Sequence, residues 1–105
     1  GDIPSTNVYE DKLCLAFKDI NPAAPTHILI IPKARNGLTS LHFADREHQE
    51  LLGHLMVTAS KVAEQEGLAE DGFRVVINDG AKAAQSVFHL HVHVLGGREM
   101  TWPPG

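Results

Sequence analysis

A chain of 105 residues with 43% hydrophobic composition has room for one compact domain and one core, and too little for two ordinary domains. No apolar run approaches the ~20 residues that span a bilayer, no N-terminal signal pattern appears, and a formal net charge of -4 without a dense Lys/Arg cluster excludes a general binder of nucleic-acid backbone. Cys14, the single cysteine, can form no internal disulfide and sits in the apolar run Leu13 to Phe17; it reads as a buried thiol in a reducing cytoplasm, with a nuclear pool compatible if the cell is eukaryotic.

Gly1 to Asn7 reads as an extended lead-in, and Asn7-Val8-Tyr9 as a short first strand closed by the turn Glu10-Asp11-Lys12. Leu13 to Lys18 follows as a strand apolar on both faces, with Asp19 held at its end before the turn signal Asn21-Pro22. Thr26 to Pro32 is β-branched and apolar; His27 opens it, and Pro32 removes a ladder donor and closes it. After a loop from Lys33 to Ser40, Asp45 is the expected N-cap of one long helix. In it Leu51, Leu52, Leu55, Met56, Ala59, Val62 and Ala63 recur at spacings of three and four. His42, His48 and His54 are expected on the surface, and Gly67 is the expected C-cap residue. Phe73 to Asn78 reads as a further strand, antiparallel to Val87–Leu95 across the long loop Asp79 to Ser86, and Gly96-Gly97 leads into a Pro-rich tail with Trp102. The pattern predicts a single α+β domain over residues 1–105, a five-stranded, mainly antiparallel sheet with one long helix on one face.

The chemistry concentrates in His89-Leu90-His91-Val92-His93-Val94-Leu95. Strict alternation puts His89, His91 and His93 on one strand face and Leu90, Val92 and Val94 toward the core. Charging three neighbouring imidazoles together is costly, so most should be neutral at pH 7 and at least one ring nitrogen free. A neutral imidazole can be a nucleophile, a base or a metal ligand, and two strand histidines at i and i+2 can reach one zinc with His27 or Asp19. On composition alone Asp19 is a turn former, Asn78 a strand end and Trp102 an interface or core anchor.

The residues beyond the triad narrow those roles. Asp19-Ile20-Asn21-Pro22, Ala24-Pro25-Thr26-His27, Ile31-Pro32-Lys33, Asn78-Asp79-Gly80, Gln85-Ser86-Val87 and the tail from Gly96 to Gly105 stand in this order with the triad. Over nearly its whole length the chain resembles the histidine triad superfamily, in its Hint branch. That resemblance implies a homodimeric, metal-independent purine nucleoside phosphoramidase without cofactor, cleaving the P–N bond of adenosine or guanosine 5'-phosphoramidates through a nucleotidyl-histidine. His91 would be the nucleophile, with His27, His89 and His93 setting its tautomer and relaying protons. Asp19 would bind the ribose hydroxyls; Asn78, Gln85 and Ser86 would hold phosphate oxygens or the leaving group; the tail with Trp102 would lie near the partner's active site. Phe17, Ile20 and Leu29 are the candidate walls of an apolar base pocket. Purine nucleoside monophosphate or phosphoramidate, and a second copy of the chain, are thus the expected partners, with no nucleic-acid polymer and no membrane.

The chemistry of the residues agrees: attack at phosphorus needs an unprotonated ring nitrogen while the other is held by an acceptor. An amine leaves phosphorus poorly unless protonated as the bond breaks, so an acid such as His93 or the Ser86 hydroxyl is required. Ala84 stands where the family usually has glycine, Arg35 where many relatives have histidine, and the sequence read starts at Gly1, after the place of the family's short N-terminal helix. A nucleotide-binding dimer acting through protein partners, and a zinc-dependent hydrolase, are the readings from other classes.

Overall fold

Alternating burial along five short stretches builds one sheet. The structure, a computed structural model, describes residues 6–105, so the first part of the expected lead-in lies outside the described residues. The strands are β1 (Asn7–Glu10), β2 (Cys14–Lys18), β3 (Thr26–Pro32), β4 (Phe73–Val76) and β5 (Val92–Gly96). Their order is β1-β2-β3-β5-β4, with every neighbouring pair antiparallel. This is the expected α+β sheet, with shorter final strands. Val87 to His91 is not strand: the Leu90 N–H bonds the Leu38 carbonyl at 3.3 Å and the His89 ring reaches the Pro32 carbonyl, so the backbone bends here.

The helix α1 (Gln49–Gln65) is entered through a one-turn 3-10 helix, Arg46–His48, capped by Asp45. The Asp45 side chain accepts from the Arg46 N–H at 2.7 Å while His48 Nδ1 accepts from the Asp45 N–H at 2.9 Å, a reciprocal box closed by a histidine instead of the usual Glu or Gln. At the other end Gly67 takes φ +77°, and the Leu68 N–H to Ala63 carbonyl bond (2.8 Å) and Gly67 N–H to Glu64 carbonyl bond (3.0 Å) form a Schellman closure.

Leu55, Thr58, Ala59, Val62 and Ala63 bury against Cys14, Ala16, Ile28, Ile30, Val92 and Val94, one face of the sheet. The buried stripe is narrower than expected, since Met56 is 39% exposed and Thr58 takes a core position under Cys14. Of the histidines expected on the surface, His48 is buried and His54 is partly exposed. His48 is 4% exposed, with Nε2 2.8 Å from the Asn36 carbonyl, and His54 is half-buried, with Nε2 2.6 Å from Asp11 Oδ2. Periodicity counts imidazole as polar, yet the ring packs readily once its nitrogens find partners.

The loop between β4 and β5 contains the 3-10 turn Ala81–Ala83 and then Ala84 at φ +67°. A Cβ in this left-handed region costs roughly 1–2 kcal/mol, partly offset in comparison with glycine by the smaller entropy of the unfolded alanine chain. Ala84→Gly should therefore raise stability by about 0.5–1 kcal/mol in urea titration with an unchanged m-value.

Candidate active site

Because Ile28, Ile30, Val92 and Val94 face α1, the alternate residues His27, Leu29, Ile31 and His93 stand on the opposite side of the sheet. Antiparallel register sets Leu29 opposite His93 and Val76 opposite His93 on the other flank.

The hydrogen bonds assign the ring tautomers. The Ala23 N–H donates to His27 Nδ1 at 3.0 Å, so that nitrogen is unprotonated and neutral His27 carries its proton on Nε2. His27 Nε2 lies 2.8 Å from His93 Nδ1 and 3.4 Å from Asp19 Oδ2. His93 Nδ1 is thus an acceptor, and the His93 proton sits on Nε2, a buried nitrogen with no hydrogen-bond partner among the described residues. Burial, then the neighbouring His91 and His27, pull the His93 pKa down to about 4 and keep the ring neutral at pH 7. His91 Nδ1 donates to the His89 carbonyl at 2.8 Å, which leaves Nε2 with a free lone pair. The His89 Nε2–H donates to the Pro32 carbonyl at 3.0 Å and pins that ring.

His89 and His91 close one end of an apolar cleft of about 220 Å³ whose other walls are Phe17, Leu29, Ile31 and Val87. Phe17 and Leu29, two of the three expected wall residues, line this cleft. Ile31 and Val87 were missed, although Ile31 follows from Leu29 by strand alternation. Ile20 is 69% exposed and outside the cleft lining, because the Asp19 Oδ1 bond to the Asn21 N–H (2.8 Å) turns the chain outward there. Asp19 itself keeps spare acceptor capacity beside His27.

Gln85 is buried, and its amide is fully spent. Oε1 accepts from the Ser40 hydroxyl (2.9 Å) and the Gly80 N–H (2.8 Å), while Nε2 donates to the Thr39 (2.9 Å) and Val87 (3.2 Å) carbonyls. An amide offers two acceptor and two donor sites, so none remains for a ligand. Gln85 is a clamp on the loop, and sequence showed neither Ser40 nor Thr39 as its partners. Ser86 is exposed and Asn78 half-buried, and neither side chain is tied up by a hydrogen bond among the described residues. Trp102 is 81% exposed and so is no core anchor within this chain; the Arg74 guanidinium lies 6.0 Å from its ring.

A model of the HIT domain matches residues 1–100. The chain belongs to the HIT-domain family. It is 65% identical to a 14 kDa zinc-binding protein of Zea mays over 99% of this chain and 80% of the relative. It is 61% identical to an adenylylsulfatase, HINT1, of Arabidopsis thaliana over 99% of this chain and 70% of that one. A HIT family hydrolase from Legionella pneumophila superposes with TM-score 0.94 at 49% identity, over 99% of this chain and 91% of the other.

Zinc, for which the maize protein is named, has two groups of candidate ligands among the described residues of the HIT chain: Asp19, His27 and His93, and Asp11, Cys14 and His54. The first does not fit. A neutral imidazole bound to metal through Nε2 carries its proton on Nδ1, and at His27 that proton would meet the Ala23 N–H head-on.

His93 also makes stability depend on pH. Its folded pKa of about 4 lies below the ordinary 6.5, so between these values the unfolded chain binds more protons and stability falls as pH drops. The melting temperature of the wild type should decline from pH 6.5 to 4, and His93→Gln should show a shallower decline over the same window in a differential scanning titration.

Proposed function

We propose that this HIT-family protein is a nucleotide hydrolase that cleaves purine nucleoside 5'-phosphoramidates through a nucleotidyl intermediate on His91. The observation that carries the reading is the free Nε2 lone pair of His91, aimed by the 2.8 Å bond from its Nδ1–H to the His89 carbonyl and set at the end of an apolar cleft. Phe17, Leu29, Ile31 and Val87 provide flat apolar walls suited to a purine, Asp19 an acceptor for two ribose hydroxyls, and Asn78 and Ser86 uncommitted donors for phosphate oxygens.

In the first step His91 Nε2 bonds to phosphorus while the P–N bond breaks, and the departing amine takes a proton from the Ser86 hydroxyl, with the neutral His93 Nε2–H as a hydrogen-bond donor beside it. The positive charge on the nucleotidyl-imidazole ring is eased by the His89 carbonyl. Water then attacks phosphorus, displaces His91 and restores the proton the amine carried away. His27 and Asp19 hold the His93 tautomer throughout. Gln85 contributes by fixing the loop that carries Ser86, not by touching the nucleotide. No step calls on a metal.

The Arabidopsis relative's name adds a second substrate class, adenylyl sulfate. Sulfate leaves phosphorus without being protonated, so the same nucleophile serves and the acid is dispensable. With EDTA present, wild-type protein should release AMP from adenosine 5'-phosphoramidate and accumulate labelled protein in a rapid quench. His91→Asn should lose both, with a rate fall on the order of 10⁴-fold or more. Ser86→Ala should slow the phosphoramidate more than adenylyl sulfate. Unchanged turnover in His91→Asn would exclude the mechanism.

We also assign a homodimer to this chain. β4 is an edge strand with its outer ladder unpaired, Phe73 and Val75 on it are partly exposed, and Met56 and Val57 extend an apolar surface on α1. Pairing β4 with its copy covers that edge, and Arg74 holds Trp102 beside it. Sedimentation of the wild type should give twice the chain mass, and Val75→Lys should give the monomer.

A further inference from the structure

On the helix side of the sheet, away from the triad, three metal-ligating side chains from three elements converge. Asp11 lies in the turn between β1 and β2, Cys14 opens β2, and His54 projects from α1; their ligand atoms all lie within 4.8 Å of one another. We propose that Asp11, Cys14 and His54 form a structural site for zinc, with water as the fourth ligand.

The tautomer objection at His27 does not arise here. His54 Nδ1 has no hydrogen-bond partner among the described residues, so the proton now on Nε2 can move to Nδ1 and free Nε2 for a metal. Asp11 is held in place for the role: Oδ1 accepts from the Leu13 (2.8 Å) and Cys14 (2.9 Å) N–H groups, and the Tyr9 hydroxyl donates to Oδ2 at 2.8 Å. Such outer hydrogen bonds orient a ligating carboxylate. The Cys14 thiol, fully buried, makes only a 3.7 Å contact to the Thr58 hydroxyl, and burial pushes its pKa up. A cation beside the sulfur offsets that cost, and binding releases the thiol proton to solvent. Zinc bonds of about 2.0–2.3 Å in a tetrahedron hold ligand atoms about 3.3–3.7 Å apart. Asp11 Oδ2 and His54 Nε2, now 2.6 Å apart, must therefore separate by some tenths of an ångström, which the half-exposed His54 ring can supply. The same exposure admits the water. One thiolate, one imidazole and one carboxylate are a donor set zinc accepts, and a site closed by protein on three sides would tie the β1–β2 turn to α1.

Cobalt(II) and zinc titration of the whole chain tests this. Cys14 is the only cysteine, so a sulfur-to-cobalt charge-transfer band reports this site alone. The wild type and His93→Gln should each bind one equivalent and show the band, and zinc should displace cobalt and raise the melting temperature. Cys14→Ser should lose the band, and His54→Gln, at a half-exposed position that spares the fold should Cys14→Ser fail to accumulate, should bind at least tenfold more weakly. Metal bound without the band, binding lost in His93→Gln but kept in His54→Gln, or no stoichiometric binding at all would each overturn the assignment.

Discussion

The 2.8 Å hydrogen bond between His27 Nε2 and His93 Nδ1 sets the protonation pattern of the triad side of the sheet. Its direction is imposed by the backbone: the Ala23 N–H fills His27 Nδ1, so the proton must lie toward His93. His93 is then obliged to carry its own proton on Nε2, the one buried side-chain nitrogen among the described residues without a partner. A buried donor with no acceptor is costly, on the order of 1–3 kcal/mol, and is expected where a ligand will complete it. Burial keeps His93 neutral, and a separate bond from His91 Nδ1–H to the His89 carbonyl frees the outer nitrogen of His91. Had Ala23 presented a carbonyl instead, His27 would be protonated on the other nitrogen and the chain of tautomers would run in reverse.

This wiring depends on the sheet having two unlike faces. Cys14, Ala16, Ile28, Ile30, Val92 and Val94 interlock with α1 and supply the burial that holds the strands in register. A slip of one residue in β5 would turn His93 into the core and Val94 into the cleft. The apolar alternation is therefore a positional constraint on the histidines as well as a source of stability. The polar cluster of Asp11, Cys14 and His54 lies on the far face from His91, so an ion there would act on the scaffold and leave the cleft to the imidazoles.

Much of this was legible in the sequence wherever periodicity carried the information. Leu90, Val92 and Val94 face the core as their alternation requires, Cys14 is buried, Asp45 and Gly67 bound the helical region, and Phe17 and Leu29 line the cleft. The resemblance to the histidine triad superfamily was carried by ordered motifs, and the match to the HIT domain agrees with it. What pattern could not carry was the bend at residues 87–91, which depends on the Leu38 and Pro32 carbonyls more than fifty residues away. Nor could it show that the Gln85 amide would be used up by Ser40, Thr39, Gly80 and Val87, or that Ile20 would turn outward. His48 was misplaced because a helical wheel records polarity, while its burial is decided by the Asn36 carbonyl.

The loop from Asp79 to Ser86 shows how those long-range bonds matter for chemistry. Ala84 adopts a left-handed conformation that disfavours any side chain, and an isolated loop would relax out of it. Next to it, Gln85 makes four hydrogen bonds that reach back to residues 39 and 40 and across its own loop to residues 80 and 87. At about 1 kcal/mol net each, these exceed the cost of one left-handed alanine and leave the loop held in a single shape. Charge that develops on a phosphoryl oxygen is stabilised best by donors that need not reorganise when it appears. Ser86 follows Gln85 directly in this clamped segment, so the mechanism proposed above would find that donor positioned before any nucleotide arrives. The clamp thus does for Ser86 what the strand register does for His93.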